Sequence, residues 1–270
     1  MSRNYIKFYY NQNDYEKIPY NKPNGEKKNI KTSGCGVCST AMAINNLMGK
    51  ERYTISELAT LSRQCGARIN NGTNVKKLLD KICELNKSFK YVNTEYTKDL
   101  VKHLKNGGVA ILHQGDKYNV FSSSGHFVYA YGLDNNGNIK VADPANTANR
   151  YKTKPRCDRI VLATKYGCIV KPEEVTKATT PISYYLISYT GKYYGDIIES
   201  PCAMFKCNAK MKNEDTAYAD NKRKTIIGKV KKNLRIKALG IGKTNTIIQY
   251  GIDKSTYKTG IVYTDNIKFD

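Results

Sequence analysis

A cysteine in a glycine turn at the start of an apolar helical run constrains this chain more than any other feature of its sequence. The run SGCGVCSTAMAINNLMG occupies residues 33–49. Its apolar residues recur at spacings of three, three and one, as Ala41, Ile44, Leu47 and Met48. This periodicity predicts a helix from Cys35 to about Met48 with one apolar face.

The turn of Ser33 and Gly34 places Cys35 at or beside the helix N-terminus. Unpaired backbone N–H groups and the positive end of the helix dipole stabilise an anion at that position. A cysteine there has a lowered pKa, and the thiolate is its nucleophilic form. We therefore predict that Cys35 is the nucleophile of a cysteine hydrolase.

Three histidines are available as its partner. His103 lies in the predicted helix 97–106, which Thr97 can cap, and we interpret it as a surface or half-buried helix residue. His113 ends the apolar strand 108–113, and we interpret it as structural or as flanking the site. His126 opens a strand that leads into the hairpin signal Asp-Asn-Asn-Gly at 134–137. We predict that His126 is the catalytic base.

A carboxylate follows at the end of the second hairpin strand. Asp143 directly precedes Pro144, and the two strands of the hairpin 126–142 bring His126 and Asp143 towards the same open end. There the carboxylate can orient the imidazole ring. The order Cys35, His126, Asp143 therefore predicts a thiol–imidazole–carboxylate triad, the arrangement used by papain-like folds.

The segments SGCGVCSTAM, GHFVYAYGL and KVADPA resemble the motif blocks of papain-like cysteine peptidases related to the bacteriocin-leader-processing peptidases. The chain departs from that pattern at Val37, where the family usually has proline, and at Cys38, where it usually has a small hydroxyl residue. The resemblance implies a papain-like α+β fold, in which the cysteine helix packs against a sheet that carries the histidine. It also implies that Gln12, in an extended N-terminal segment, helps to form the oxyanion hole with the backbone N–H of Cys35.

Cys35 and Cys38 also form a CxxC pair, which could serve as a redox pair or as half of a zinc site. Zinc normally needs a second pair at close spacing, whereas four of the other cysteines are scattered singly and Cys202 and Cys207 lie far away. A redox CxxC should follow the first strand of a βαβ unit, but this one follows a polar, lysine-rich stretch. We predict no cofactor and no metal.

Helical patterns precede a mainly antiparallel set of strands up to about residue 190, which is an α+β order. A Thr54–Glu57 capping box predicts one helix, and Val75, Leu78, Leu79 and Ile82 form the apolar face of the next. The segment 160–170 is ambiguous between helix and strand. The alternating run 181–189 predicts the last strand of a papain-like domain at residues 1–190.

Beyond Tyr189 the helical periodicity disappears. Short alternating runs separated by glycine and turn signals predict about five strands and a small all-β barrel at residues 196–270. Residues 208–269 resemble the bacterial SH3-like modules that attach hydrolases to peptidoglycan. The usual Asn-Val-Arg opening and a tryptophan are missing, and Tyr250 stands in the approximate place of the latter.

The chain carries 45 basic and 23 acidic side chains in 270 residues, a net charge of +22. Such a balance favours a polyanionic partner, and residues 196–270 contribute 15 basic and 8 acidic groups, a net of +7. The basic runs are not interleaved with aromatic residues, so we predict no nucleic-acid partner. No run approaches the length of a membrane span, and the start has no signal-peptide pattern.

Together the resemblances imply a phage-lysin-like peptidoglycan hydrolase, an endopeptidase or an N-acetylmuramoyl-L-alanine amidase, which binds peptidoglycan and anionic wall polymers. We expect it to be made in the host cytoplasm without a signal peptide and to act on the bacterial wall, as a free endolysin or in the virion. The alternative functions are that of a catalytically inactive binding protein and that of a leader-processing peptidase. The presence of Cys, His and Asp together favours an enzyme.

Overall fold

The computed structural model describes residues 6–115, 118–191, 209–220, 222–241, 244–251 and 257–269. Contacts between Cα atoms divide the chain into two compact units, Met1–Tyr193 and Tyr194–Asp270. None of the helices in the described ranges is both long and apolar enough to cross a bilayer.

In its described residues the first unit combines six α-helices with strands that form one large sheet and one small hairpin. The helices are α1 (Ile30–Ser33), α2 (Cys35–Met48), α3 (Ile55–Gln64), α4 (Val75–Leu85), α5 (Thr97–Lys105) and α6 (Pro172–Ala178). The strands are β1 (Arg68–Ile69), β2 (Gly72–Thr73), β3 (Phe89–Thr94), β4 (Val109–Gln114), β5 (His126–Leu133), β6 (Ile139–Ala142), β7 (Leu162–Ala163), β8 (Gly167–Val170) and β9 (Thr179–Tyr189). This mixture of helices and antiparallel strands agrees with the predicted α+β class.

The large sheet has the order β3-β9-β4-β5-β6-β8-β7, and every neighbouring pair is antiparallel. The predicted hairpin is present as β5 and β6, which pair from Tyr129 with Ala142 to Leu133 with Ile139. Its turn is held by the carboxylate of Asp134, which accepts hydrogen bonds from the backbone N–H groups of Asn136 and Asn138. The ambiguous segment 160–170 forms strands β7 and β8.

Alternate residues of the central strands face a core shared with α5 and α6. Its members on β4, β5 and β6 are Ala110, Leu112, Val128, Ala130, Ile139 and Val141. Leu100 and Leu104 of α5 pack there with Val175 and Ala178 of α6. Helix α2 contacts β4 and β5 directly. The cysteine helix therefore packs against the strand on which His126 lies.

Helix α2 is buried on every side, from Gly36 to Met48, although one apolar face was predicted. Other segments of the chain cover the face opposite the predicted apolar one. Asn46 binds the extended N-terminal segment, since its Oδ1 accepts from the N–H groups of Lys7 and Phe8 and its Nδ2 donates to the Phe8 carbonyl. Burying such a helix is possible because its polar side chains are satisfied.

Asn45 performs the same function for the loop after α2. Its Oδ1 accepts from the N–H groups of Arg52 and Tyr53, and its Nδ2 donates to the Tyr53 carbonyl at 2.8 Å and to the Tyr10 hydroxyl. We expect Asn45→Ala to lower the free energy of unfolding by about 3 kcal/mol, because it leaves several buried polar groups unpaired. Urea unfolding followed by circular dichroism measures this change. Asn135→Ala, in the exposed β5–β6 turn, is the matched control, and an equal loss there would contradict the explanation.

Two other helices follow their sequence signals, and one departs from them. The Thr54–Glu57 capping box and the buried apolar face of α4 are both confirmed. Helix α5 starts at the predicted residue, but Thr97 does not cap it, because Tyr96 is the N-cap residue. The Thr97 hydroxyl instead forms hydrogen bonds with the hydroxyl groups of Thr176 and Tyr184.

The second unit contains seven described strands rather than about five. They are β10 (Ala209–Met211), β11 (Asp215–Tyr218), β12 (Ile226–Val230), β13 (Arg235–Ile241), β14 (Asn245–Gly251), β15 (Tyr257–Tyr263) and β16 (Ile267–Phe269). They form an antiparallel sheet in the order β12-β11-β15-β14-β13-β10-β16. Among the described residues the outer strands β12 and β16 do not pair, so the predicted closed barrel is not found there.

Candidate active site

Cys35 is the first residue of α2, and it is held between two glycines that permit close packing. A Cβ at Gly34, the N-cap residue, would lie 2.5 Å from the carbonyl oxygen of Ile30. A Cβ at Gly36 would lie 2.7 Å from the Cβ of Thr73. Because neither position accepts a larger side chain without movement, the backbone around the half-buried Cys35 thiol is closely defined.

The environment of Cys35 favours its thiolate. Burial raises the pKa of this thiol, but a hydrogen bond with His126, the positive charge of that ring and the backbone N–H groups of Phe127 and Gly36 outweigh burial, so the pKa is lowered. Cys38, one turn further along the helix, is completely buried. Burial and the nearby Cys35 raise the pKa of Cys38 well above its ordinary value. Of the two thiols in the CxxC pair, Cys35 is the one suited to nucleophilic attack.

His126 lies between Cys35 and Asp143. Its Nε2 is 2.7 Å from Oδ1 of Asp143, which leaves Nδ1 as the ring nitrogen for Cys35. The imidazole is only 7% exposed and the carboxylate is completely buried. Burial lowers the pKa of His126, but the charge and hydrogen bond of Asp143, together with Cys35, raise it to about 9. The structure thus brings together the three residues of the predicted triad.

The carboxylate of Asp143 accepts four hydrogen bonds, two at each oxygen. Oδ1 accepts from His126 and from the backbone N–H of Ala145, and Oδ2 accepts from Nε of Arg150 and the hydroxyl of Tyr151 at 2.6 Å each. Although burial raises the pKa of Asp143, His126, Arg150 and Tyr151 hold it well below its usual range. Asp143 is therefore a carboxylate with one fixed orientation.

Sequence reasoning missed Arg150 and Tyr151. They follow Asp143 by seven and eight residues in the irregular segment 143–156, which contains no strand or α-helix. No periodicity or motif spacing indicates that this loop returns to the carboxylate. The available signal was the proximity in sequence of Arg150 to Asp143, the predicted carboxylate of the triad.

Gln12 begins a short 3₁₀ helix, Gln12–Tyr15, and connects two segments of the site. Its backbone N–H donates to the Pro144 carbonyl at 2.6 Å, next to Asp143. Its side-chain Nε2 donates to the carbonyl of Lys31, in the helix that immediately precedes Cys35, at 2.7 Å. Its Oε1 is buried without a hydrogen-bond partner among the described residues.

The other two histidines have different partners. His103 is half-buried, and its Nε2 forms a hydrogen bond of 2.9 Å with the Ile187 carbonyl. The ring of His113 stacks on that of Phe127, with centroids 4.4 Å apart. Burial and the charge of His126 lower the pKa of His113. His113 thus flanks the site without occupying the position between the thiol and the carboxylate.

The alternative readings of the cysteines concern a redox pair or a zinc site. Cys35, Cys38, Cys65, Cys83, Cys157 and Cys168 are free thiols. No group of three or more His, Cys, Asp and Glu side chains in the described parts of the chain could hold a metal ion. Cys202 and Cys207, the looser pair noted in the sequence, lie outside the described residues.

Comparison with known proteins identifies the family of the first unit. Residues 8–169, more than half of the chain, match the model of the Peptidase C39-like family. The chain belongs to this family. The predicted resemblance to papain-like cysteine peptidases is thereby confirmed, and the matched range of this C39-like peptidase includes Gln12, Cys35, His126 and Asp143.

Two solved structures give weaker likenesses. One is described as a C39-like peptidase from Bacillus anthracis, 14% identical, covering 59% of this chain and 90% of its own, with a TM-score of 0.39. The other, Ly7917, is 10% identical and covers 65% of this chain and 61% of its own, with a TM-score of 0.21. Neither likeness supports a conclusion about this C39-like peptidase. A search of curated proteins gave no match.

Proposed function

We propose that this C39-like peptidase is a peptidoglycan hydrolase that cleaves an amide bond of the bacterial cell wall. The observation that carries the proposal is the contact of one buried histidine, His126, with both the Cys35 thiol and the Asp143 carboxylate. A thiolate at a helix start, paired with an imidazolium that a carboxylate orients, is the arrangement needed for acyl transfer from an amide.

The reaction follows from the protonation states of the three groups. The Cys35 thiolate attacks the carbonyl carbon, and the oxyanion that forms is stabilised by the backbone N–H of Cys35 and by the Gln12 amide, in the role that the family resemblance implies for it. The His126 imidazolium then protonates the leaving amine as the carbon–nitrogen bond breaks. In the second half, His126 takes a proton from water, which hydrolyses the thioester and releases Cys35.

The wall as the substrate is supported by charge and by the second unit. Phosphate-bearing wall polymers are anionic, and the chain carries a net charge of +22. The second compact unit, Tyr194–Asp270, holds an antiparallel sheet in its described strands, and by this proposal it binds the wall. By this proposal the enzyme acts at the bacterial wall in a phage-lysin role.

Mass spectrometry of fragments released from purified peptidoglycans of several cross-link types tests the substrate directly. New amino termini on stem-peptide or cross-bridge residues would identify an endopeptidase. Release of stem peptides from muramic acid would identify an amidase. If the protein cleaves soluble peptides but releases nothing from any wall preparation, the wall assignment fails while the cysteine-peptidase assignment stands.

We expect residues 196–270 to bind cell walls without cutting them. A fluorescent fusion of this segment should label susceptible Gram-positive cells, and the labelling should fall with added salt, because charges more than about 10 Å apart are screened at 0.1 M. The fluorescent protein alone is the control. Residues 1–190 should keep cleavage of soluble fragments but lose potency on whole cells. An unfolded segment 196–270, or one that prefers DNA to walls, would contradict the prediction.

A further inference from the structure

Arg150 is a charged side chain that contacts the triad carboxylate, and the reaction described above does not use it. Its Nε lies 2.6 Å from Oδ2 of Asp143, and its Nη2 donates to the Phe121 carbonyl. The side chain is 17% exposed, whereas Asp143 is completely buried. Arg150 therefore connects the carboxylate of the triad to the loop that precedes β5.

The charges of the site alternate in sign along a chain of contacts. The order is Cys35 thiolate, His126 imidazolium, Asp143 carboxylate and Arg150 guanidinium, so the reactive ion-pair state contains two anions and two cations. Without Arg150 the same state would leave one unbalanced negative charge in a buried site. An uncompensated buried charge is strongly unfavourable because it has lost its hydration.

We propose that Arg150 is a positioning residue that balances the charge of Asp143, and that it thereby sets the proton affinity of His126. This inference concerns the site to which we assign the hydrolase function. Tyr151 shares the orienting role, since its hydroxyl donates to the same Oδ2 at 2.6 Å, but it contributes no charge. Substitutions of Arg150 and Tyr151 therefore distinguish orientation of the carboxylate from balance of its charge. Both side chains donate a hydrogen bond, but only Arg150 carries a positive charge.

The direction of the effect follows from Coulomb's law. Asp143 raises the proton affinity of His126, and the nearby cation offsets part of that influence. Removing the Arg150 cation should therefore raise the pKa of His126. Other titratable groups surround these residues: Tyr9 and Cys168 near Asp143, His113 near His126, Cys38 and Tyr20 near Cys35, and Arg156 near Arg150. These surrounding groups are the same in the wild type and in the Arg150 variants. A difference in the His126 pKa between those proteins therefore reports on Arg150.

Titration of the three histidines by NMR of protein labelled with ¹³C-histidine tests the proposal without any substrate. In Arg150→Gln we expect the His126 pKa to rise by at least about one unit, because a single charge within about 10 Å in a partly polar interior contributes more than the free energy of one pKa unit. Arg150→Lys should keep the wild-type value because it keeps the charge. Tyr151→Phe should shift it much less than Arg150→Gln, and Arg63→Gln on α3 is the remote control.

Hydrolysis supplies a second readout. For Arg150→Gln, kcat/KM should fall about 10- to 100-fold and the alkaline limb of its pH profile should move up with the His126 pKa. Arg150→Lys should restore the pH profile but only part of the rate. Arg150→Met, of similar length, repeats the neutral substitution, and thermal unfolding checks that each variant is folded.

If the folded Arg150→Gln and Arg150→Met proteins both titrate like wild type, Arg150 is only a structural contact and the proposal is overturned. If His126 shifts as expected but wild type releases nothing from walls, the proposed substrate fails and the role of Arg150 stands. A rate loss without a change in pH profile would also contradict charge balance, because it would indicate lost orientation alone.

Discussion

We expect Cys35→Ala to reduce the release of new amino termini from purified peptidoglycan to background, a loss of at least about 10⁴-fold, since removing a nucleophile eliminates the covalent route. The half-buried position of Cys35 and the small change in volume predict that the variant keeps its fold. Circular dichroism and thermal unfolding check this, and quantification of released amino groups measures the activity.

Cys38→Ala is the matched control for this experiment. It lies one turn further along the same helix and is completely buried, with a pKa raised by burial. It should keep most of the activity at a modest cost in stability. Iodoacetamide at neutral pH should label Cys35 ahead of the other seven cysteines, because the thiolate is the reactive form. Full activity in Cys35→Ala, or loss only in Cys38→Ala, would reject Cys35 as the nucleophile.

The second large effect should come from His126→Ala, which we expect to lower kcat/KM by about 10²- to 10⁴-fold, the usual contribution of general acid–base catalysis. The His126 pKa of about 9 also predicts the alkaline limb of the pH profile. Below that pH the imidazolium is present and can protonate the leaving amine. As the pH rises through about 9 this proton is lost, so activity should fall. Initial rates between pH 5 and pH 10.5 measure the limb.

His113→Ala is the comparison for His126→Ala, because His113 lies on the neighbouring strand and its ring stacks on Phe127. We expect it to keep most of the activity. Asp143→Asn should cost less than His126→Ala, since the amide can still contact the ring but orients it less well. If His113→Ala inactivates the enzyme and His126→Ala does not, the base has been assigned to the wrong strand.

Local interactions explain why part of the fold could be predicted. The Thr54–Glu57 capping box forms within four residues, and the apolar face of α4 repeats at helical spacing. The β5–β6 hairpin depends on a turn whose carboxylate binds the N–H groups of the following residues. Each of these signals involves groups that are close in sequence, so no knowledge of distant contacts is needed to interpret them.

Long-range contacts explain what was missed. The periodicity of α2 predicts one apolar face, but Asn45 and Asn46 bind segments that lie before and after the helix, so the helix is buried on every side. Thr97 was expected to cap α5, but its hydroxyl is engaged by Thr176 and Tyr184, which are 79 and 87 residues away in sequence. Partners at such separations leave no mark in the local pattern.

The same division applies to the site. The sequence by itself determined that Cys35 begins a helix and that His126 and Asp143 lie at the same open end of one hairpin, because turns, periodicity and strand pairing are local. Only the tertiary structure decided that Arg150 and Tyr151 return from an irregular loop to the buried carboxylate. The burial of Asp143 requires donors for both of its oxygens, and packing of the loop, rather than any sequence spacing, determines which side chains supply them.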